Sequence, residues 1–236
     1  MKDLVSLASE SLLDMETESD AKTAFHRSVG RRRTLYTVFG KRALDIFIVV
    51  FTIILLLPVI LVCAAVTALD GHWPFFGHKR VGVNGRQFRC WKVRSMLADS
   101  ELHLKAHIET DPAARDEWAK TRKLKNDPRI TRFGRFLRKS SLDELPQILN
   151  VLKGEMSIVG PRPVVRDELA LYGKNQRAYL EMRPGITGLW QVSGRNDVSY
   201  DERIAFDQEY SDTFSLKRDV SIILQTFRVV LMFRGR

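Results

Sequence analysis

Between Ile46 and Leu69 the chain runs for 24 residues without a charged side chain, and Pro58 stands at the middle of the run. No other feature restricts the fold as much. At about 1.5 Å per residue such a run covers about 36 Å as a helix, enough for a hydrocarbon core of about 30 Å. A soluble protein rarely buries a helix so uniformly apolar, so this segment is expected to enter a membrane. Proline removes a backbone donor and clashes with the preceding turn, so a kink or break is expected at Pro58. Residues 26–45 hold six Lys/Arg and one acid, and residues 70–94 hold the same numbers. Basic flanks belong on the cytoplasmic side, and here both ends qualify. A kinked spanning helix remains open. One arrangement that satisfies both flanks is a re-entrant hairpin, two half-helices bent at Pro58 that enter and leave the same leaflet.

The rest of the chain has soluble character. A mean hydropathy of −0.17 excludes a protein built of many membrane helices. Thirty-eight Lys+Arg against 28 Asp+Glu give a net charge of +10. The first twenty residues hold six acids and one base, so the remainder is more basic still. Excess positive charge suits anionic partners such as lipid head groups, phosphorylated small molecules or nucleic acid. No nucleic-acid motif accompanies it, and the basic residues gather at the membrane flanks and around carboxylates, so no nucleic-acid partner is expected. Two cysteines, Cys63 and Cys90, exclude a disulfide scaffold and a four-cysteine zinc site. They are expected to be free thiols in a reducing compartment.

Asn84-Gly85, between short alternating stretches, predicts a β-hairpin with a two-residue turn. Residues 97–122 predict helix, interrupted at Asp111-Pro112. Leu145, Ile148, Leu149 and Leu152 share one helical face, and Gly154 ends that helix. Gly160-Pro161-Arg162-Pro163 and Arg183-Pro184-Gly185 predict loops. Residues 220–233 predict a final helix, either packed in the core or lying in the membrane surface.

The stretch with most chemical potential runs from Thr131 to Gln147. Arg132, Arg135, Arg138 and Lys139 lead into adjacent carboxylates, Asp143 and Glu144. Guanidinium groups suit phosphate oxygens. A carboxylate beside a phosphate site can hold Mg²⁺ or attack phosphorus. A structural reading competes: Ser141 with Glu144 forms a capping-box pattern, or Asp143 itself caps the next helix. Two prolines stiffen the backbone around Arg162, which suits an anion clamp, although a plain surface turn has the same sequence. Lys92 and Arg94, at the end of the hairpin, join that clamp or touch lipid phosphates. His103 and His107 stand four apart but read as a solvated helix face, since a metal site needs further ligands.

Taken together these segments resemble the bacterial sugar transferases of the monotopic phosphoglycosyl transferase family. The resemblance covers residues 31–236. It is carried by Lys41-Arg42-Ala-Leu-Asp45, Arg80-Val-Gly82, Lys92-Val-Arg94, the run from Asn126 to Arg138, Ser141-Leu-Asp143-Glu144-Leu-Pro-Gln147, Gly160-Pro-Arg162-Pro, and the run from Arg183 through Gln191 to Arg195. It implies an α+β fold, mostly α, with a re-entrant membrane helix broken at Pro58, a small β-hairpin and a helical cytoplasmic catalytic domain. Residues 1–30 would form an acidic disordered tail, 31–75 the basic flank and membrane element, and 76–236 the catalytic domain. The implied reaction moves a sugar 1-phosphate from a UDP-sugar to undecaprenyl phosphate and releases UMP. Asp143 would be the nucleophile, and Glu144, with Asp143, would hold Mg²⁺. Lys92, Arg94, Arg138 and Arg162 would lie around the phosphates, with Gln191 and Arg195 on the nucleotide side. The implied setting is the bacterial inner membrane with the catalytic domain on its cytoplasmic face, galactose or glucose as the sugar, and a homo-oligomer as one possible assembly. A non-enzymatic membrane-anchored scaffold of polysaccharide assembly is the alternative. The chain departs from the family pattern at Leu57, His78 and Val93.

Overall fold

The computed structural model describes residues 35–121, 124–193 and 198–231. The expected tail over 1–30 and the first basic residues of the flank lie outside them, as does Arg195. A π-helical turn, Tyr36–Gly40, leads into α1 (Lys41–Ala68). There follow β1 (Phe75–Val81), β2 (Gln87–Val93), α2 (Ser100–Thr110), α3 (Pro112–Thr121), α4 (Arg132–Ser140), a 3₁₀ turn at Leu142–Glu144, and α5 (Gln147–Lys153). The second half holds β3 (Ser157–Val159), α6 (Arg166–Ala170), α7 (Gln176–Leu180), β4 (Gly185–Thr187), α8 (Leu189–Ser193), α9 (Tyr200–Thr213) and α10 (Leu216–Leu231). The fold is mostly helical, with a small antiparallel two-stranded sheet.

Helix α1 with the turn before it is long and apolar enough to cross a membrane. Pro58 lies inside this one element. The expected pair of half-helices is therefore not seen as two separate helices. Proline costs the bond to the carbonyl four residues back but need not end a helix whose flanking turns are held elsewhere. Val49, Ile53, Leu56, Ile60 and Cys63 form one stripe along α1. Val49 and Ile60, joined by Ile53 and Leu56, belong to a cluster with Phe88 and Cys90 of β2, Ile148 and Val151 of α5, and Met156. Cys63 packs with Val93 and Leu137. The other faces of α1 expose Phe47, Phe51, Ile54, Leu55, Leu61 and Val62.

Both ends of α1 are tied to the same body. Near its start, Asp45 Oδ1 accepts from Ser157 Oγ and the Ile158 amide, each at 3.0 Å. Past its end, Arg94 donates to both oxygens of Asp70, at 2.7 and 2.6 Å, and to the Thr67 carbonyl at 3.3 Å. These bonds from Arg94 hold the Asp70 carboxyl down to about 2.

The hairpin forms as expected, but its connection is longer. Pairing ends at Val81–Gln87, and Gly82 to Arg86 make a five-residue loop closed by Gly82 N–H donating to Arg86 O at 2.8 Å. Asn84 and Gly85 do adopt positive φ, 56° and 74°, the conformation that made the pair look like a tight turn. Helices α2 and α3 part at Asp111, whose Oδ1 accepts from the Ala113 and Ala114 amides at the start of α3.

Helix α5 buries a different face from the expected one. Ile148 goes inward, but with Gln147, Asn150 and Val151, while Leu149 and Leu152 are exposed. The cause is Asn150. Its Oδ1 accepts from the Trp91 amide at 3.1 Å, and its Nδ2 donates to Arg89 O at 2.7 Å and to Glu155 Oε2 at 2.6 Å. A buried amide with every contact satisfied fixes the rotation of the helix against β2. Gly154, at φ 78°, ends α5 as expected.

The two predicted loops flank a sheet that the sequence did not announce. β3 and β4 pair in parallel, Ser157 with Gly185 and Val159 with Thr187. At Gly160 a Cβ would sit 2.3 Å from the Arg183 carbonyl oxygen, so the two loops approach as only glycine permits. The final helix packs on the core through Ile222 and Asp219, while Leu216, Val220, Leu224 and Phe227 form an exposed apolar stripe.

Candidate active site

Asp143 and Glu144 occupy the 3₁₀ turn between α4 and α5. Neither capping expectation is met. Ser141 adopts a left-handed conformation, φ 59°, and closes α4 by donating its amide to Arg138 O and Leu137 O. Its side chain caps nothing, and α5 begins after Pro146 without a side-chain cap. A non-glycine residue in this region costs on the order of 1–3 kcal/mol, a strain found mainly where function requires a particular turn.

The turn lies against the end of β2. Lys92 Nζ stands 2.6 Å from Glu144 Oε1 and 3.8 Å from Asp143 Oδ2. One ammonium thus balances two neighbouring carboxylates. Asp143 is 7% exposed, whereas the Glu144 side chain is one-third exposed. Arg138, in the last turn of α4, donates from Nε to Ser95 Oγ at 2.8 Å, three residues beyond Lys92. Helix α4 can dock there because Gly134 presses on the backbone at Ser95, where a Cβ would come within 2.0 Å of the carbonyl oxygen.

Strand register puts Lys92, Cys90 and Phe88 on one face of the hairpin with Phe76, His78 and Arg80. The Cys90 thiol beneath this face is pushed up to about 11 by burial, and it feels Lys92, Glu144, Arg80 and Arg162 together. His78 is held below its ordinary value by burial, then by Arg80 and Lys92, with Glu168 opposing. Its imidazole is therefore neutral near pH 7. These fields join the carboxylate pair to a second group of residues around Arg162.

Arg162 leaves β3 on the Pro-Arg-Pro loop. Beyond the loop, Val81 N–H donates to Val164 O at 2.9 Å, and the Tyr179 hydroxyl donates to Val81 O at 2.7 Å and accepts from the Val164 amide at 3.1 Å. The loop is thereby stitched to the end of β1. The Arg162 guanidinium lies over Trp190 of α8 at 5.5 Å, and Arg203 of α9 lies over the same ring at 5.0 Å. Arg162 and Arg203 line a small cleft with Glu168, Tyr172, Tyr200 and Asp207. Burial pushes the Asp207 carboxyl up to about 7, although Tyr172 donates to its Oδ2 at 2.7 Å and Arg162 is near. Burial also pushes Tyr200 up to about 12.

The structure thus brings Asp143, Glu144 and Lys92 together, holds Arg138 at Ser95 just beyond the end of β2, and sets Arg162 where its charge reaches Cys90 of the same hairpin. It gives Arg94 other work, since that guanidinium holds Asp70, Thr67, Trp73 and Met96. Gln191 donates to the Ile186 carbonyl at 3.1 Å, inside the β4–α8 connection. The residues missed from sequence are Trp190, Arg203, Glu168, Tyr172 and Asp207. Nothing in the acid-rich α9 sequence marks Asp207 as its buried carboxylate.

The raised Asp207 value carries a stability consequence. The folded state holds the proton more tightly than the unfolded chain, whose carboxyl titrates near 3.8. The penalty is absent below about pH 4 and grows as pH rises toward 7. Asp207→Asn should therefore gain stability over the parent chain by roughly 2–3 kcal/mol between pH 5 and pH 8. Parallel melting curves at the two pH values check this, and a constant difference would contradict it.

The carboxylate pair with its lysine, the Pro-Arg-Pro loop and the apolar helix all meet one hairpin. The description "Bacterial sugar transferase" fits residues 36–233, and the chain belongs to that family. It is 50% identical over 197 residues to exopolysaccharide production protein ExoY of Sinorhizobium fredii, covering 83% of this chain and 87% of that one. It is 51% identical over 197 residues to the UDP-galactose-lipid carrier transferase of Erwinia amylovora. It is also 51% identical over 197 residues to the undecaprenyl-phosphate galactose phosphotransferase of Salmonella typhimurium. Each of those two matches covers 84% of this chain but only 41% of the longer relative.

Proposed function

We propose that this chain transfers a sugar 1-phosphate from a UDP-sugar, with galactose or glucose as the sugar, to undecaprenyl phosphate, releasing UMP. The observation that carries the reading is the Asp143–Glu144 pair, balanced by Lys92 beside the membrane-entering helix. The names of the similar proteins, which specify galactose and a lipid or undecaprenyl-phosphate carrier, support the substrate classes.

In this reading an Asp143 carboxylate oxygen attacks the sugar-linked phosphorus. An aspartyl O–P bond forms, the phosphoanhydride bond breaks, and UMP departs with the electron pair. An oxygen of the lipid phosphate then attacks the same phosphorus and Asp143 leaves as carboxylate. Lys92 keeps the carboxylates oriented in the resting site, and Arg138 and Arg162 supply charge to the phosphates. The donor set suits Mg²⁺, a hard cation that takes one or two carboxylates and completes its shell with phosphate oxygens; Glu144 and Asp143 would hold it. When bound it offsets diphosphate charge.

A membrane element that enters and leaves on the cytoplasmic side of a bacterial inner membrane fits this chemistry, because the lipid phosphate reacts at the surface. In its support, Asp45 and Asp70, at opposite ends of α1, are bonded to one body. A helix crossing about 30 Å of hydrocarbon would leave one end on the far side.

The test is an assay of UMP release by the full chain with undecaprenyl phosphate, Mg²⁺, and UDP-galactose, UDP-glucose and amino-sugar donors. Release that depends on lipid phosphate is expected with at least one hexose donor. Silence with all of them would favour a scaffold.

A further inference from the structure

We propose that His78 is a further substrate-binding residue, whose imidazole donates a hydrogen bond to a phosphate oxygen held between Lys92 and Arg80. This assignment rests on the transferase reading above.

The hairpin sets three basic side chains in a row. Strand register opposes Phe76 to Lys92, His78 to Cys90 and Arg80 to Phe88, so all six share one face. His78 stands about 7 Å from Arg80 along β1, and at about the same distance on the diagonal from Lys92 of β2. Both ends of the row are occupied. Lys92 Nζ lies 2.6 Å from Glu144 Oε1, and Arg80 donates to Glu168 Oε2 at 3.2 Å. The middle is open. His78 is exposed, and among the described residues nothing hydrogen-bonds its ring. Phe76 meets that ring edge-on, with centroids 6.0 Å apart.

An exposed histidine is most often plain surface. Here the charges around it make the difference. Arg80 on its own strand and Lys92 on β2 oppose a third positive charge, and only Glu168 of α6 pulls the other way. Cys90, directly opposite, is a thiol that keeps its proton. The imidazole of the empty face is therefore neutral near pH 7. A phosphate lying over the row reverses the balance. It meets two cations and a hydrogen-bond donor, and its own charge favours protonation of His78.

The row is also suitably placed. At one end Lys92 stands 3.8 Å from Asp143 Oδ2. At the other, Glu168 neighbours Arg162. His78 lies between the proposed nucleophile and the Pro-Arg-Pro arginine, on the course of a diphosphate that reaches from one to the other.

The experiment measures steady-state kinetics of the full chain in lipid nanodiscs, varying UDP-hexose and undecaprenyl phosphate in turn from about pH 6 to about pH 8. His78→Phe and His78→Gln alter an exposed position, so their melting should match the parent. At about pH 6, kcat/KM for UDP-hexose should fall about tenfold in His78→Phe, and less in His78→Gln, whose amide still donates. The parent's advantage over either variant should shrink about fivefold toward pH 8, because the imidazolium that the bound phosphate favours is lost as pH rises. A pH-dependent loss on the UDP-hexose arm assigns the phosphate to the donor, and one on the undecaprenyl-phosphate arm assigns it to the lipid. Variants equal to the parent on both arms overturn the proposal. So does a loss that is constant with pH, which would mean that the ring acts by shape alone. A parent chain that releases no UMP from any UDP-hexose overturns the transferase reading, and this assignment with it.

Discussion

Asp143→Asn is expected to abolish UMP release, a loss of about 10⁴-fold or more, because an amide cannot take the phosphorus that a carboxylate takes. It should equally abolish labelling of the protein by UDP-sugar carrying a radiolabelled sugar when lipid acceptor is withheld. The substitution preserves size and hydrogen-bonding shape, so folding should survive. Glu144→Gln makes the contrast. It keeps the proposed nucleophile, so it should still trap label, though slowly, because the residue that pairs with Lys92 and in the proposed mechanism would help hold Mg²⁺ has lost its charge. Full turnover by Asp143→Asn would exclude the covalent route and leave direct attack of lipid phosphate on the donor.

The second large effect concerns stability. Asp219 of α10 is fully buried. It accepts from the Tyr210 hydroxyl at 2.6 Å and from Tyr36, and its Oδ2 lies 2.9 Å from Lys41 Nζ. Lys41 in turn stands 3.3 Å from Asp45, which Ser157 and Ile158 hold. One chain of charges therefore joins the start of the membrane helix, the final helix and β3. Asp219→Ala removes one negative group and strands a buried ammonium with a single remaining carboxylate, Asp45. Breaking such a cluster from one side costs about 3–5 kcal/mol. Thermal melting in detergent should register the whole loss, and Asp219→Asn, which retains acceptor capacity, should lose less. Unchanged melting of the alanine variant would mean that the cluster is not what fastens the two helices.

Most of what the sequence disclosed lay in strong local patterns. The uncharged run named its own helix, Asp111-Pro112 separated two others, and the acidic pair fell beside the arginine-rich α4. Two kinds of feature escaped. Helix periodicity assumes that apolar side chains seek the protein interior, yet in α5 Leu149 and Leu152 face outward while Gln147 and Asn150 turn inward. The C-terminal carbonyls of that helix accept from Arg42 at the start of α1, so its outer face lies near the membrane element, where an apolar exterior is no contradiction. The capping-box pattern failed similarly, because Ser141 was needed as a left-handed turn. Strands of three residues carry too little alternation to be seen, so the pairing of β3 with β4, which aims Arg162, appears only in three dimensions. Asp207 was hidden because α9 carries several acids and only tertiary packing selects one for the interior.

The double tether of α1 has a mechanical consequence. A helix anchored in water on both sides of a bilayer tilts or stretches its surroundings when the lipid thickens. Here both ends, at Asp45 and at Asp70, are bonded to the same folded domain, so in the proposed topology bilayer thickness would have nothing to pull against. In that topology the height of the carboxylate pair above the hydrocarbon would be set by the protein, like a float riding at a fixed draught in whatever depth of water.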